Sequence, residues 1–372
     1  LGTNQPGHPT SGRPTAETVK RVDKNGTEVT ATYQADVKAA TPTGQGAETT
    51  GLQGQKQDSH LTFTPGQATI NGQNETVPFA PEGPQFVVNG QVQQGNSLPV
   101  HDASGKLQGT YTVQPNGDIS FQPAPDFYGT PTPATLRVTD KNGSTAEAVY
   151  QPTVTKVTPT STNDTSTGLQ GQPQSGKPTF TAGDPAVPLD DTKPMTFEDG
   201  QSTKTVPGVG EYSINPDGSI TFTPDKQYVG TPNPVTVKRV DKNGTEVTAT
   251  YTPTVTKVTP TSTNATSTGP QGVPQTGTPT FQGGDPLVPI DETVEPTFED
   301  GSKEKSIPGQ GTYTIAPDGT VTFTPDKQFV GKPDPVTVKR VDKNGTPVTA
   351  TYSPEFTKVT PIGKDASSEN IK

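Results

Sequence analysis

VTVKRVDKNGTEVTATYTPTVTKVTPTSTN, residues 235–264, decides the reading of this chain, because the chain contains it again. A near-copy, VTVKRVDKNGTPVTATYSPEFTKVTPIG, starts at Val336. A more diverged copy, LRVTDKNGSTAEAVYQPTVTKVTPTSTND, contains Asp140 and Tyr150. Asp140, Asp241 and Asp342 are spaced 101 positions apart, as are Tyr150, Tyr251 and Tyr352. A partial copy, ETVKRVDKNGTEVTATY, begins at Glu17. Solenoid repeats run about 20–50 residues, so a regular period this long means a tandem array of whole domains.

Each full copy opens on a G-[LP]-Q-G-x-x-Q stretch, at Gly51, Gly168 and Gly269. The expected organisation is the end of a preceding repeat at 1–50, full repeats at 51–157, 168–258 and 269–361, and a tail or next linker at 362–372. The Thr/Ser-rich stretches 158–167 and 259–268 lack large apolar residues and read as linkers. The first repeat is longer: 117 positions separate Gly51 from Gly168, against 101 from Gly168 to Gly269. The surplus lies between Phe63 and Tyr111.

Within the second repeat, Tyr212–Ile214 and Ile220–Phe222 alternate apolar and polar residues around Asn215-Pro-Asp-Gly218. Proline pre-sets φ and glycine accepts φ > 0, which is hairpin chemistry. TVKRV and EVTATY flank Asp241-Lys-Asn-Gly244, and Asn-Gly between strand-like runs is a strong hairpin signal. The turns Asn142-Gly143, Asn243-Gly244 and Asn344-Gly345 are therefore expected to supply two φ > 0 positions each and to sit at exposed tips. Val247, Ala249 and Tyr251 share one face with period two, and Thr248 and Thr250 the other. No segment carries a 3.6-residue apolar period. Six to eight short strands in about 90 residues indicate an all-β chain of Ig-like β-sandwiches in an elongated string, with a small closed barrel as the alternative.

Composition sets further bounds. Apolar residues are 26% of the chain, and glycine and proline number 40 and 42. Small cores and modest stability per repeat are expected. Cysteine is absent, which excludes disulfides, thiol nucleophiles and thiolate metal sites. The net charge of −10 and the lack of basic clusters argue against nucleic acid and anionic membrane as partners. No apolar stretch is long enough to span a bilayer. LGTNQPGHPTSG does not read as a signal peptide. The chain opens inside a repeat, so an excerpt of a longer protein is expected.

A function shared by the repeats must use residues that every copy has. His8, His60 and His101 do not recur in the second and third repeats. Carboxylates do: Asp184, Asp190, Asp191, Glu198 and Asp199 correspond to Asp285, Asp291, Glu292, Glu299 and Asp300, beside Glu295. Oxygen-rich loops between β-sandwiches can hold Ca²⁺. Their spacing fits no D-x-[DN]-x-[DN]-G loop, so solvated loop charge is expected and calcium stays a weak candidate at Asp184, Asp190, Asp191, Asp285 and Asp291. Tryptophan is absent and no aromatic cleft accompanies the acids, which disfavours glycoside hydrolysis. A Lys–Asn isopeptide needs a buried Lys, Asn and acid together, and Lys238 becomes Arg137 in the first repeat. No catalytic or cofactor residue is expected, and the chain does not read as an enzyme.

The pattern G-x-Y-x-I-x-P-D-G-x-[IV]-T-F-T-P-D-[KQ]-x-[FY]-x-G-[TK]-P-x-P-V-T-V-x-R-V-D-x-N-G-T-x-V-T-A-T-Y-x-P covers 210–253 and 311–354, and more loosely 109–152. It resembles the fibril repeat of CshA-type adhesins, cell-wall-anchored surface proteins of streptococci and related Gram-positive bacteria. The resemblance implies stalk repeats at the bacterial surface that project a separate N-terminal adhesive region. Their partners are neighbouring repeats, while the adhesive region, the wall anchor and any host matrix or cell-surface ligand belong to the full protein. The alternative is that the repeats themselves bind host protein, glycan or other bacteria, through the longer first repeat, whose segment 66–96 is not shared.

Overall fold

The computed structural model describes residues 11–372; the first ten residues, with His8, lie outside the described residues. Strands and turns make up the ordered elements, and no helix occurs among the described residues. By contacts the chain divides into two compact units. One comprises residues up to Thr160 with 181–193 and 240–247, and the other 161–180, 194–239 and 248–372. The first holds the first repeat together with the Asp241–Gly244 tip of the second. The second holds the body of the second repeat and all of the third.

The third repeat shows the plan. One sheet runs Ala265–Pro270, Pro347–Thr357, Val336–Val341, Thr297–Phe298; the other runs Gln275–Gly277, Val321–Pro325, Gly311–Ile315, Glu304–Ile307. Strand Val321–Pro325 buries alternate residues, as a strand with one core face must. Phe298, Tyr313, Ile315, Val321, Phe323, Val336, Val338, Tyr352 and Phe356 close the core between the two sheets. The sandwich expectation holds. The body of the second repeat follows the same order, around Phe197, Tyr212, Phe222, Val237 and Tyr251.

The low apolar content is offset by concentrating aromatic rings. Tyr313 lies 4.4 Å from Phe323 and 6.3 Å, edge-on, from Tyr352. The same trio recurs as Tyr212, Phe222 and Tyr251, and as Tyr111, Phe121 and Tyr150. Rings of this size bury large areas and add pair energies of about 0.5–1.5 kcal/mol each. Val247, Ala249 and Tyr251 are buried while Thr248 faces solvent, as the period-two pattern requires.

Two expectations are corrected. The stretches read as linkers carry strands: Asp164–Leu169 pairs in parallel with the end of Glu246–Thr256, Asp164 opposite Tyr251 and Leu169 opposite Thr256. Ala265–Pro270 pairs likewise with the end of Pro347–Thr357, and Ala47–Leu52 with the end of Thr145–Thr155. Threonine and serine read there as loop polarity, but β-branched threonine favours extended backbone and alternate residues turn inward. Each repeat thus sets a strand near its start, just after the short strand Thr43–Gln45, Thr160–Thr162 or Thr261–Thr263, beside and parallel to its last strand. The second correction concerns the Asp-Lys-Asn-Gly turns. Only the glycine has positive φ, +82° at Gly244 and +81° at Gly345. Gly244 N donates to Asp241 O and Asp241 N to Thr245 O, a type I turn closed by a left-handed glycine. Turns with two positive φ values occur instead in the longer first repeat, at Asn71-Gly72 and Asn89-Gly90.

The first repeat has a five-stranded sheet, Gln91–Val92, Gln85–Val88, Ala134–Thr139, Thr145–Thr155, Ala47–Leu52. Its second sheet runs Ser97–His101, Leu107–Val113, Asp118–Pro123, Gln57–His60. Part of its surplus forms a largely exposed hairpin, Gln67–Ile70 with Gln73–Thr76.

Candidate functional site at the joint between repeats

The G-[LP]-Q-G-x-x-Q stretch marks the repeat boundary in sequence, and in space it builds two sites. After the first strand the chain turns through Gln53-Gly54 in the first repeat and Gln170-Gly171 in the second. Gln170 N donates to Thr256 O at 2.8 Å, fixing the turn to the end of the last strand. The Gln170 side chain folds back: Oε1 accepts from Val258 N at 3.1 Å and Nε2 donates to Lys226 O at 2.9 Å. Gln53 does the same with Val157 N and Pro125 O. With the side chain so used, the backbone carbonyl is left facing outward.

The asparagine of the next repeat's turn takes that carbonyl. Asn344 Nδ2 donates to Gln170 O at 2.9 Å, and Asn243 Nδ2 to Gln53 O at 2.9 Å. The adjacent glycines leave room for it. A Cβ on Gly171 would stand 1.8 Å from Asn344 Oδ1, and one on Gly54 1.9 Å from Asn243 Oδ1. Gln172 Nε2 reaches Leu287 O at 3.3 Å, Gln55 Nε2 reaches Ala186 O at 3.4 Å, and Gln227 Nε2 donates to Asn344 O.

The third repeat provides an internal control. Gly272, the counterpart of Gly171, has nothing near its Cβ position. Val157 and Val258 are each 3% exposed, whereas their counterpart Val359 is 53% exposed. On the opposite face, Asn142 is exposed, Asn243 half-buried and Asn344 only 4% exposed. The expectation of exposed turn tips is therefore wrong for Asn243 and Asn344. Contact with residues 190 and 174 positions earlier in the chain covers Asn243 in part and buries Asn344.

A buried aspartate holds each turn in shape. Asp342 Oδ1 accepts from Asn344 N and Thr346 N, both at 2.9 Å, and Asp241 and Asp140 do the same in their repeats. All three aspartates are buried, and the second carboxylate oxygen of each has no hydrogen-bond partner.

The second glutamine of the motif serves a different site. Ser166 Oγ donates to Gln174 Oε1 at 2.6 Å and lies 2.5 Å from Tyr251 OH, while Gln174 Nε2 donates to Thr254 O at 3.1 Å. Thr49, Gln57 and Tyr150 repeat the cluster, as do Ser267, Gln275 and Tyr352. It ties the first strand to the last beside the parallel pairing. Sequence reasoning used these glutamines only as boundary marks. Their presence in every full copy was the available signal.

The calcium candidates are placed in turns. Asp184 Oδ1 accepts from Ala186 N and Asp285 Oδ1 from Leu287 N. Asp190 caps Thr192, and Asp291 caps Thr293 with Lys343 Nζ at 3.1 Å. The Thr293 hydroxyl, then Lys343, hold the Asp291 carboxyl down at about 2. Asp191 also has an interaction partner. Among the described residues no three His, Cys, Asp or Glu side chains converge as metal ligands do. His60 pairs with Asp118 at 2.8 Å over an open groove, and His101 is exposed at a strand end.

The family model described as "Surface adhesin CshA repetitive domain" matches residues 39–154, 156–255 and 257–356. A solved structure of repeat domain 13 of the fibrillar adhesin CshA from Streptococcus gordonii is 97% identical over 20% of this chain and 94% of its own, with a TM-score of 0.13. A titin I9–I11 tandem is 12% identical over 86% of this chain and 98% of its own, TM-score 0.30. Mouse cadherin-23 EC22–24 is 15% identical over 86% of this chain and 100% of its own, TM-score 0.31. The search of curated proteins found no match. Three family matches that together span most of the chain, on a repeated all-β sandwich, place this chain in the surface adhesin CshA repetitive-domain family.

Proposed function

We propose that these repeats form a load-bearing stalk of a wall-anchored bacterial surface adhesin, carrying an adhesive N-terminal region away from the cell. One observation carries this reading: in each repeat a strand near the start lies beside and parallel to the last strand. The chain enters such a pair at one end and leaves at the other. Tension along the chain therefore loads all the hydrogen bonds of the pair together, in shear. The joints add to this, since each bonds an asparagine to the preceding repeat. Family membership supports the adhesin context. The stalk role needs no active site.

Displaying the whole adhesin on a cell or bead, with and without two of these repeats, tests the projecting role. The shortened form should lose adhesion to a ligand-coated surface behind a polymer layer while binding soluble ligand unchanged. Equal adhesion through the layer would refute projection.

A second reading attaches to the first repeat, whose exposed hairpin Gln67–Ile70/Gln73–Thr76 has no counterpart in the others. Solid-phase binding of host matrix proteins by the chain with and without 66–76 separates the two. Binding lost with the hairpin would favour this reading, and equal lack of binding would remove it.

A further inference from the structure

Asp-Lys-Asn-Gly occurs four times, at Asp23, Asp140, Asp241 and Asp342. The four turns are alike. In each, the aspartate Oδ1 accepts from the asparagine N at 2.8–2.9 Å. In each, the glycine N donates to the aspartate O at 2.8–3.1 Å. Asp140, Asp241 and Asp342 are buried and Asp23 is exposed, and the surroundings of the asparagine side chain differ as well. Asn25 and Asn142 are exposed, Asn243 is half-buried against Gln53, and Asn344 is buried against Gln170.

Asn-Gly is chemically fragile. Glycine has no side chain to hinder its backbone nitrogen from approaching the preceding side-chain carbonyl carbon. That nitrogen gives up its proton and bonds to Asn Cγ, the Cγ–Nδ2 bond breaks, and ammonia leaves. Water then opens the cyclic imide at Cγ to give aspartate, or at the backbone carbonyl carbon to give isoaspartate. The net change exchanges an amide and a water for a carboxylate and ammonium, with no redox step.

We propose that the joint shields its own asparagine from this reaction, so that in this chain the docked Asn344 and Asn243 deamidate more slowly than the exposed Asn142 and Asn25. The docked amide holds Nδ2 on the Gln170 carbonyl and keeps out the water that proton transfer and imide opening require. Reaction then proceeds only through the opened joint, at a rate set by the open fraction. Once hydrolysed, the side chain offers a carboxylate oxygen where a donor stood. Two acceptors would face each other in a buried site, and the joint could not close again. The open joint is thereby the condition for its own permanent loss.

This inference rests on the docking seen at the joints, and the test reads docking separately. The full chain is incubated in mildly alkaline buffer at physiological temperature and followed by peptide mapping. Asn344 should deamidate roughly tenfold more slowly than Asn142, as an opening free energy of about 1.4 kcal/mol implies. Denaturant should make the four rates equal. Gly171→Ala, which places a methyl on Asn344 Oδ1, should raise the Asn344 rate and leave Asn243 unchanged; Gly54→Ala should do the reverse. Exchange of the side-chain amide protons, read by NMR on the same samples, reports docking itself. Slow Asn344 exchange with equal deamidation rates would overturn the proposal and leave the joint standing. Fast exchange at Asn344, matching Asn142, would remove both.

Discussion

Asn344 Nδ2 donates to the backbone oxygen of Gln170 at 2.9 Å, across 174 residues of sequence. Asn243 makes the same bond to Gln53 one repeat earlier. Asn142 occupies the same place in the same turn and is exposed. Asn344→Ala should therefore destabilise by about 1–3 kcal/mol, because Gln170 O loses its donor in a buried setting. Asn142→Ala should stay within about 0.5 kcal/mol. Equilibrium denaturation of the full chain checks this, and the comparison cancels effects intrinsic to the turn.

Ser166 stands between Gln174 and Tyr251, accepting from the tyrosine hydroxyl and donating to the amide oxygen. Ser166→Ala leaves both groups without that partner and should cost about 1–3 kcal/mol. Ser166→Thr should be tolerated, since Thr49 fills the same position in the first repeat. Thermal unfolding of the two variants decides the point.

Tyr313 OH donates to Asp334 O at 2.6 Å and Tyr111 OH to Thr132 O at 2.6 Å, whereas buried Tyr212 OH has no hydrogen-bond partner. Tyr313→Phe should cost about 1 kcal/mol, and Tyr212→Phe should be neutral or stabilising. Denaturant midpoints of the two variants give the comparison directly.

Burial pushes the ionisation of Tyr111, Tyr150, Tyr212, Tyr251, Tyr313 and Tyr352 above the ordinary value of 10.0. The unfolded chain ionises first, so this contribution to stability is complete below pH 10 and declines as pH rises past it. The share of tyrosinate absorbance that comes from these six and the loss of the β-sheet circular dichroism signal should therefore rise together above that pH. Ionisation of these six at their ordinary value, with the fold intact, would contradict their burial.

Much of this fold was legible in the residues. Period-two alternation at Val247, Ala249 and Tyr251 gave the buried face, and the turn chemistry at Asn215–Gly218 gave the hairpin. The parallel strand Asp164–Leu169 was hidden by its composition, because threonine and serine serve loops and strands alike and only pairing with Tyr251–Thr256 distinguishes them. The joint was hidden by distance. Asn344 has a sufficient local explanation as a turn residue, and nothing in the turn points to Gln170. The reach of the contact shows only when copies are compared in space, where Val258 is covered and Val359 is not.

The most direct test of the load-bearing role is to pull the full chain from its two ends with a single-molecule force probe. Shear loading of the parallel end strands predicts three discrete unfolding peaks, one per repeat. Each should release roughly 30 nm, the length of some 90–100 extended residues less the folded span. Smooth extension without peaks would contradict it.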